Sequence, residues 1–386
     1  MENAQRVEDM AKMVSSVSLL FVLNLISSSF FFFSVPSEAH KLAPALNVFG
    51  SSAVDAGNNN KFHTFAKYNY LPYGIDFPEG ASGRPTNGYN LADYLAQSLG
   101  LEIPPPINSV NPRLSKNIDG FNYASSLSGI LNTTGTDTYR GVMSLYRQIH
   151  LFKATIRQQL KPLLKTHSSL KEHLAKSIFL LSTGINDHSL TLLRNEKRDN
   201  ESAAAPRQID FEEIHYAFSQ DLVEKFASLL EYLYKLGARK FVVINAEAMG
   251  CLPYEVQKAT PVDPVCVDPL NFLIFNFNRL LSRKISQVGP KLPGATFIIG
   301  NKYEHTETLV LNPASLGLKE GFNPCCKVTK NGTCDAKRLP CKERDEYAFF
   351  DGFNPTQAAN KVFANECFNG TSGVCSPLNV QQLAAL

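Results

Sequence analysis

No histidine follows residue 305, and no cysteine precedes residue 251. Charge is also sparse: 19% of the 386 residues are Asp, Glu, Lys or Arg, against about 25% in ordinary soluble chains. That rules out a disordered, self-repelling polymer. The 38 basic residues nearly balance the 35 acidic ones, so the clustered basic face that nucleic acid requires is missing. No G-x-S-x-G elbow, no H-E-x-x-H and no Gly-Lys dipeptide occurs. An α/β-hydrolase elbow, a zinc-peptidase helix and a phosphate-binding loop are thereby excluded. The cysteine spacings contain no paired C-x-x-C units, and no metal or cofactor is expected.

One long apolar run is present, over residues 14–35, with Lys12 before it and Ser37-Glu38-Ala39 after it. These are the parts of a secretory signal peptide cleaved after Ala39. The rival is an anchor that stays in the membrane, but serines and an asparagine dilute the run. Removal of residues 1–39 leaves 36 basic and 31 acidic groups, and no second run of that length. The remainder, residues 40–386, is expected to be one soluble domain without a membrane span. Export is the default destination, with the vacuole or the endoplasmic reticulum lumen as alternatives. An oxidising route allows the eight cysteines, all in the C-terminal part, to pair; 105 pairings are open. Sequons at Asn132, Asn200, Asn331 and Asn369 are glycosylation candidates in the same compartment.

Short apolar runs alternate with helical patterns. Ala45–Phe49, Ser177–Ser182, Lys240–Ala246 and Ala295–Gly300 read as buried strands. Leu91, Leu95 and Leu99 mark a helix face. Further helices are expected over residues 139–175, 211–236 and 271–288, with a last one starting near Pro355. Such alternation predicts a doubly wound parallel sheet with helices on both faces.

Four polar segments stand where ligands bind in such folds, beyond strands or before helices. They are Phe49-Gly50-Ser51-Ser52-Ala53-Val54-Asp55-Ala56-Gly57-Asn58-Asn59-Asn60, Gly83-Arg84-Pro85-Thr86-Asn87-Gly88, Ser182-Thr183-Gly184-Ile185-Asn186-Asp187 and Asp351-Gly352-Phe353-Asn354-Pro355-Thr356. In this order, with Leu-Gly-Ala-Arg-Lys-Phe-Val-Val, Gly-Cys-Leu-Pro and Cys325-Cys326, they resemble the plant branch of the GDSL esterase/lipase family, within the SGNH hydrolases. The resemblance covers most of residues 44–370. It implies a flavodoxin-like α/β fold and hydrolysis of a carboxylic ester through an acyl-serine, without cofactor. Acyl lipids, acetylated wall sugars and small phenolic esters are all within that class. It further implies Ser52 as nucleophile. An oxyanion hole would be built from the backbone N–H groups of Ser52 and Gly88 and the Asn186 amide.

The chain also departs from the family pattern. The last block of the family reads Asp-x-x-His, in which the Asp orients the His that takes the serine proton; the resemblance thus makes Asp351 the catalytic acid here, but Asn354 stands at the position of the histidine. A neutral amide can hydrogen-bond a serine but cannot take its proton, so hydrolysis is expected to be weak. The alternative is an inactive member that binds an ester-like ligand or a protein partner. The first block reads Gly50-Ser51-Ser52-Ala53, without the family's Asp; Ser125–Gly129 replaces a glycine-rich stretch; Asn301-Lys302-Tyr303 stands where an Asp is usual. Asn354 followed by Pro355 also has the composition of a helix N-cap, with Gln357 to close a capping box. Asp351 would then be a surface or capping acid. His188 is a candidate replacement base. His63 and His305 read as solvated loop residues.

Overall fold

Strands β1 (Leu46–Gly50), β2 (Ile178–Ser182), β3 (Lys240–Ile244) and β4 (Thr296–Gly300) pair in that order, all parallel. A short β5 (Cys375–Ser376) adds antiparallel to β4. In this computed structural model the described residues are 41–111, 114–193, 208–259 and 265–386, with single positions at 3, 7 and 10. The expected signal segment lies, apart from those three positions, outside them, as does Asn200. Residues Lys41–Leu386 gather into one unit.

Parallel strands are covered on both faces and so read as continuous apolar runs. Here alternation still decides which core each side chain enters. Phe49, Phe179, Leu181, Phe241 and Val243 point into one core; Val48, Ile178, Leu180, Val242 and Ile244 point into the other. The first core is closed by α2 (Leu145–Thr155), α4 (Gln208–Lys235) and α6 (Asp268–Val288). The second is closed by α1 (Leu91–Ser98), α8 (Gln357–Asn369) and α9 (Val380–Ala385). Between these lie α3 (His167–Lys176), α5 (Pro253–Lys258) and α7 (Lys302–Leu311). No described helix is long and apolar enough to cross a membrane.

The free edge of β1 is lined by residues 119–123. Val48 N–H donates to Phe121 O at 3.0 Å and Tyr123 N–H to Val48 O at 2.7 Å, as in a parallel pair. β1 thus has one neighbour from this segment and another in β2, which makes its carboxyl end a topological switch point, the usual place for a ligand in an open α/β sheet.

The cysteines pair 251–266, 325–341, 326–334 and 367–375, leaving none free. The two central bridges form a small separate core with Tyr68, Tyr73 and Phe350. The helical pattern of residues 139–175 is not one helix. A wide turn at Ile156–Leu160 and a positive φ of 61° at Lys165 break it. The last long helix also begins later than expected. Thr356 is its N-cap, accepting from Ala359 N–H at 3.2 Å, and Pro355 lies outside it. Asn354 is therefore not a helix cap, because its side chain is engaged elsewhere.

Candidate active site

Ser52 begins a tight turn directly after β1. Gly50 makes that turn possible. Its φ is +135°, and a Cβ there would stand 2.0 Å from Ser182 O, a conformation and a contact that only glycine tolerates. Gly50 N–H donates to Gln148 Oε1 at 2.8 Å, and Ser51 N–H donates to Ser182 O at 2.9 Å. The side chain of Ser52 is thereby left at the wall of a cavity of about 800 Å³, also lined by Asn186, Leu127, Asn354, Glu247 and Lys302.

The strap over residues 125–131 runs beside Ser52 and hangs from two buried acids. Asp55 accepts from Ser126 N–H at 2.9 Å and Ser126 Oγ–H at 2.7 Å, besides Gly57 and Asn58 N–H. Asp187 accepts from Ile130 N–H, Leu131 N–H and Thr134 Oγ1–H. Burial pushes both carboxyls up, Asp187 to about 6, and these donors pull them back. So held, the strap aims Leu127 N–H at Ser52 Oγ, 3.1 Å away. Leu127 has φ +62°, a left-handed conformation that glycine adopts more easily. Asn186 follows the Gly184 turn beyond β2 and donates from Nδ2 to Ser128 O at 2.9 Å. Gly88 is buried against the Gln357 side chain, whose Oε1 would lie 1.9 Å from an added Cβ, and is not part of the cavity wall. The backbone donor brought to Ser52 is therefore that of Leu127.

Asp351 is fully buried, not a surface acid. Tyr73 Oη–H donates to its Oδ2 at 2.6 Å, while Phe353 N–H and Asn354 N–H donate to Oδ1 at 2.8 and 2.7 Å. Asn354 Nδ2 donates to both carboxylate oxygens, each at 3.0 Å. Burial raises the Asp351 carboxyl above the ordinary range, against these hydrogen bonds. Tyr73 also accepts from Cys334 N–H at 3.0 Å, tying the acid to the Cys326–Cys334 bridge. The Asp351 loop is thus set by the disulfide core on one side and by the start of α8 on the other.

No histidine lines the cavity among the described residues. His188 is fully buried and turned away, with Nδ1 3.0 Å from Gly184 O and Nε2 3.1 Å from Ser219 Oγ. Desolvation lowers it to about 4, so it is neutral. His305 is not a solvated loop residue: it lies buried on α7, its ring against Phe363. His63 is exposed.

The model of the GDSL-like lipase/acylhydrolase family matches residues 46–367. This chain belongs to that family. The Arabidopsis thaliana protein named GDSL esterase/lipase 7 is 33% identical to it over 373 residues, covering 96% of this chain and 100% of its own length. Two more Arabidopsis thaliana GDSL esterase/lipases, At1g71691 and At1g71250, are 36% and 34% identical, each covering 89% of this chain and 86% and 89% of their own lengths. Membership accounts for the mostly parallel sheet with a cavity at its carboxyl edge, and is consistent with ester or lipid substrates. Four residues of this member's site were not anticipated from the sequence: Leu127, Tyr73, Glu247 and Lys302. Two had a signal in the departures from the family pattern: Leu127 in the missing glycines of residues 125–129, and Lys302 in the Asn301-Lys302-Tyr303 segment.

Proposed function

We propose that this is a secreted GDSL-type protein that takes an acyl ester into its cavity and hydrolyses it slowly, with Ser52 as nucleophile. The observation that carries the reading is the pair of hydrogen bonds from Asn354 Nδ2 to Asp351. The acid orients a side chain toward the cavity as it would orient an imidazole, but what it orients is an amide. An amide oxygen accepts a hydrogen bond from a serine hydroxyl and releases no proton-accepting lone pair near pH 7. Leu127 N–H, with a second hydrogen on Asn186 Nδ2, supplies donors for an acyl oxygen. Loss of the base in serine hydrolases lowers turnover by about 10⁴–10⁶, and the remaining donors and binding leave about 10³-fold over water.

A second reading, a catalytically silent member that only binds its ligand or a protein partner, is favoured by the lack of any histidine on the cavity wall among the described residues. The two readings separate on p-nitrophenyl butyrate, with the secreted protein and its Ser52→Ala variant. Slow hydrolysis lost in Ser52→Ala supports the first reading, and equal rates support the second. Fast hydrolysis that depends on Ser52 refutes both.

Export is supported by the residue 14–35 run and by the four disulfides, which suit an oxidising compartment. Asn132, Asn331 and Asn369 are exposed and open to glycosylation. N-terminal sequencing of the exported form and a mass shift on deglycosylation test these points; a mature chain that keeps residues 1–39 refutes cleavage.

A further inference from the structure

Gly50, Ser182, Ile244 and Gly300 stand in register across the sheet. Ser52 and Lys302 each follow that row by two residues, on β1 and β4. Three inter-strand spacings, about 14 Å, separate the ends of that row. Both line the same cavity. Lys302 is only 5% exposed. Its Nζ lies 4.8 Å from the Phe363 ring centroid, and among the described residues it makes neither a hydrogen bond nor an ion pair within 4 Å. Ser52 Oγ is engaged by Leu127 N–H and not by this amine, so Lys302 does not stand in for the missing base. Glu247, beyond β3, lies on the same wall and attracts the ammonium from a distance, while burial lowers the amine to about 8. It is thus protonated at neutral pH. A buried ammonium without a hydrogen-bonded anion is costly. Beyond β2, Thr183 Oγ1 is buried on the same wall and has no partner among the described residues.

We propose that Lys302 is the centre of a second subsite, which receives a carboxylate carried by the ligand at the end remote from its ester. The ester lies at Ser52, the chain crosses the carboxyl edge of the sheet, and the carboxylate pairs with the Lys302 ammonium. Glu247 lies on the same wall, and a ligand carboxylate would compete with it for the ammonium. The preferred ligands are half-esters of dicarboxylic acids or similar ω-anionic acyl esters. This inference rests on the cavity being the ester site.

The test uses the full secreted protein in the Ser52→Ala form, so that esters stay intact. Calorimetry compares the monomethyl and dimethyl esters of decanedioic acid, which differ only in the free carboxylate. The monoester is expected to bind about tenfold or more tighter. Lys302→Met should abolish that preference without weakening the diester, Lys302→Arg should keep it, and Glu247→Gln should enlarge it. Equal affinity for the two esters, or a preference that survives in Lys302→Met, overturns the subsite and leaves the ester cavity standing. Binding of neither ester by a protein with an unchanged melting temperature overturns both.

Discussion

Replacing Asn354 by histidine puts the proposed cause of slow turnover to the test. In the structure the Asn354 amide places its nitrogen 3.0 Å from both Asp351 oxygens. An imidazole at the same position can donate from Nδ1 to one of them and turn Nε2 toward the cavity wall that Ser52 shares. Asn354 as a whole is 6% exposed, so the larger ring must displace neighbours, and one hydrogen bond to a charged acceptor is lost. A loss of about 1–3 kcal/mol in stability is expected. The rate should move the other way. The base contributes about 10⁴–10⁶ in a complete triad. Ser51 and the strained Leu127 remain as further departures, so a gain of about 10²–10⁴ in kcat/KM is expected, or about 3–5 kcal/mol of transition-state stabilisation. The assay is p-nitrophenyl butyrate hydrolysis against pH, with the Ser52→Ala/Asn354→His double variant as background. Wild type should be nearly flat from pH 5 to 8. Asn354→His should rise through the pKa of the new imidazole, because the base must be deprotonated to act. No gain over the double variant, in a protein that still melts cooperatively, would refute the reasoning that proton acceptance at position 354 is what limits turnover.

Gly50→Ala should cost more than about 3 kcal/mol in urea unfolding, since it combines a φ of +135° with a Cβ 2.0 Å from Ser182 O. Tyr73→Phe removes both the donor to Asp351 Oδ2 and the acceptor of Cys334 N–H; a loss of about 1–3 kcal/mol is expected by the same measurement. His188 is held near a pKa of 4 by desolvation, below its ordinary value of about 6.5. The unfolded chain therefore binds the extra proton first, and His188 makes stability fall as pH drops from about 6.5 to 4, by up to about 3 kcal/mol. The stability difference between wild type and His188→Phe should shrink by that amount across this window; a difference independent of pH would refute the assignment. Asp187, whose raised pKa acts in the opposite direction between its ordinary value and about 6, is common to both proteins and cancels.

The strands were legible because burial on both faces demands unbroken apolar runs, and four of the five follow their runs to within two residues. β5 was not, because two residues fixed by the Cys367–Cys375 bridge carry no pattern. The places of Ser52 and Asn186 on the cavity wall were legible because each lies just past a strand; the burial of Asp351 was not. The partner of Ser52 was not. Leu127 is 75 residues away, and its N–H reaches the serine only because Asp55 and Asp187 pull the strap in from both ends. Gly88 had a role only through the resemblance, and nothing in the sequence signals that the space beside it is filled by Gln357, 269 positions further along the chain. Asn354 had the composition of a cap, and yet a buried carboxylate three residues earlier is a stronger acceptor than solvent is a competitor. Local propensity loses to that tertiary bond.

The same geometry limits what the surviving motif residues say about catalysis. Asp351 collects donors from Tyr73, Phe353 and Asn354 and ties its loop to the disulfide core through Tyr73, so replacing it would damage the fold whether or not a reaction takes place. Asn186 fastens the strap at Ser128 O, and Gly50 is required by Ser182 O. Each of these positions is constrained by packing alone, and the presence of each is therefore neutral between a slow enzyme and a silent one. Ser52 is different. Its hydroxyl accepts one hydrogen bond, from Leu127 N–H, and an alanine there would leave the turn, the strap and both cores as they are. Ser52→Ala is accordingly expected to shift stability by no more than about 1 kcal/mol. A larger loss in thermal unfolding would mean that the serine, too, has a structural task. Ser52 would then carry no more information about chemistry than Asp351 does.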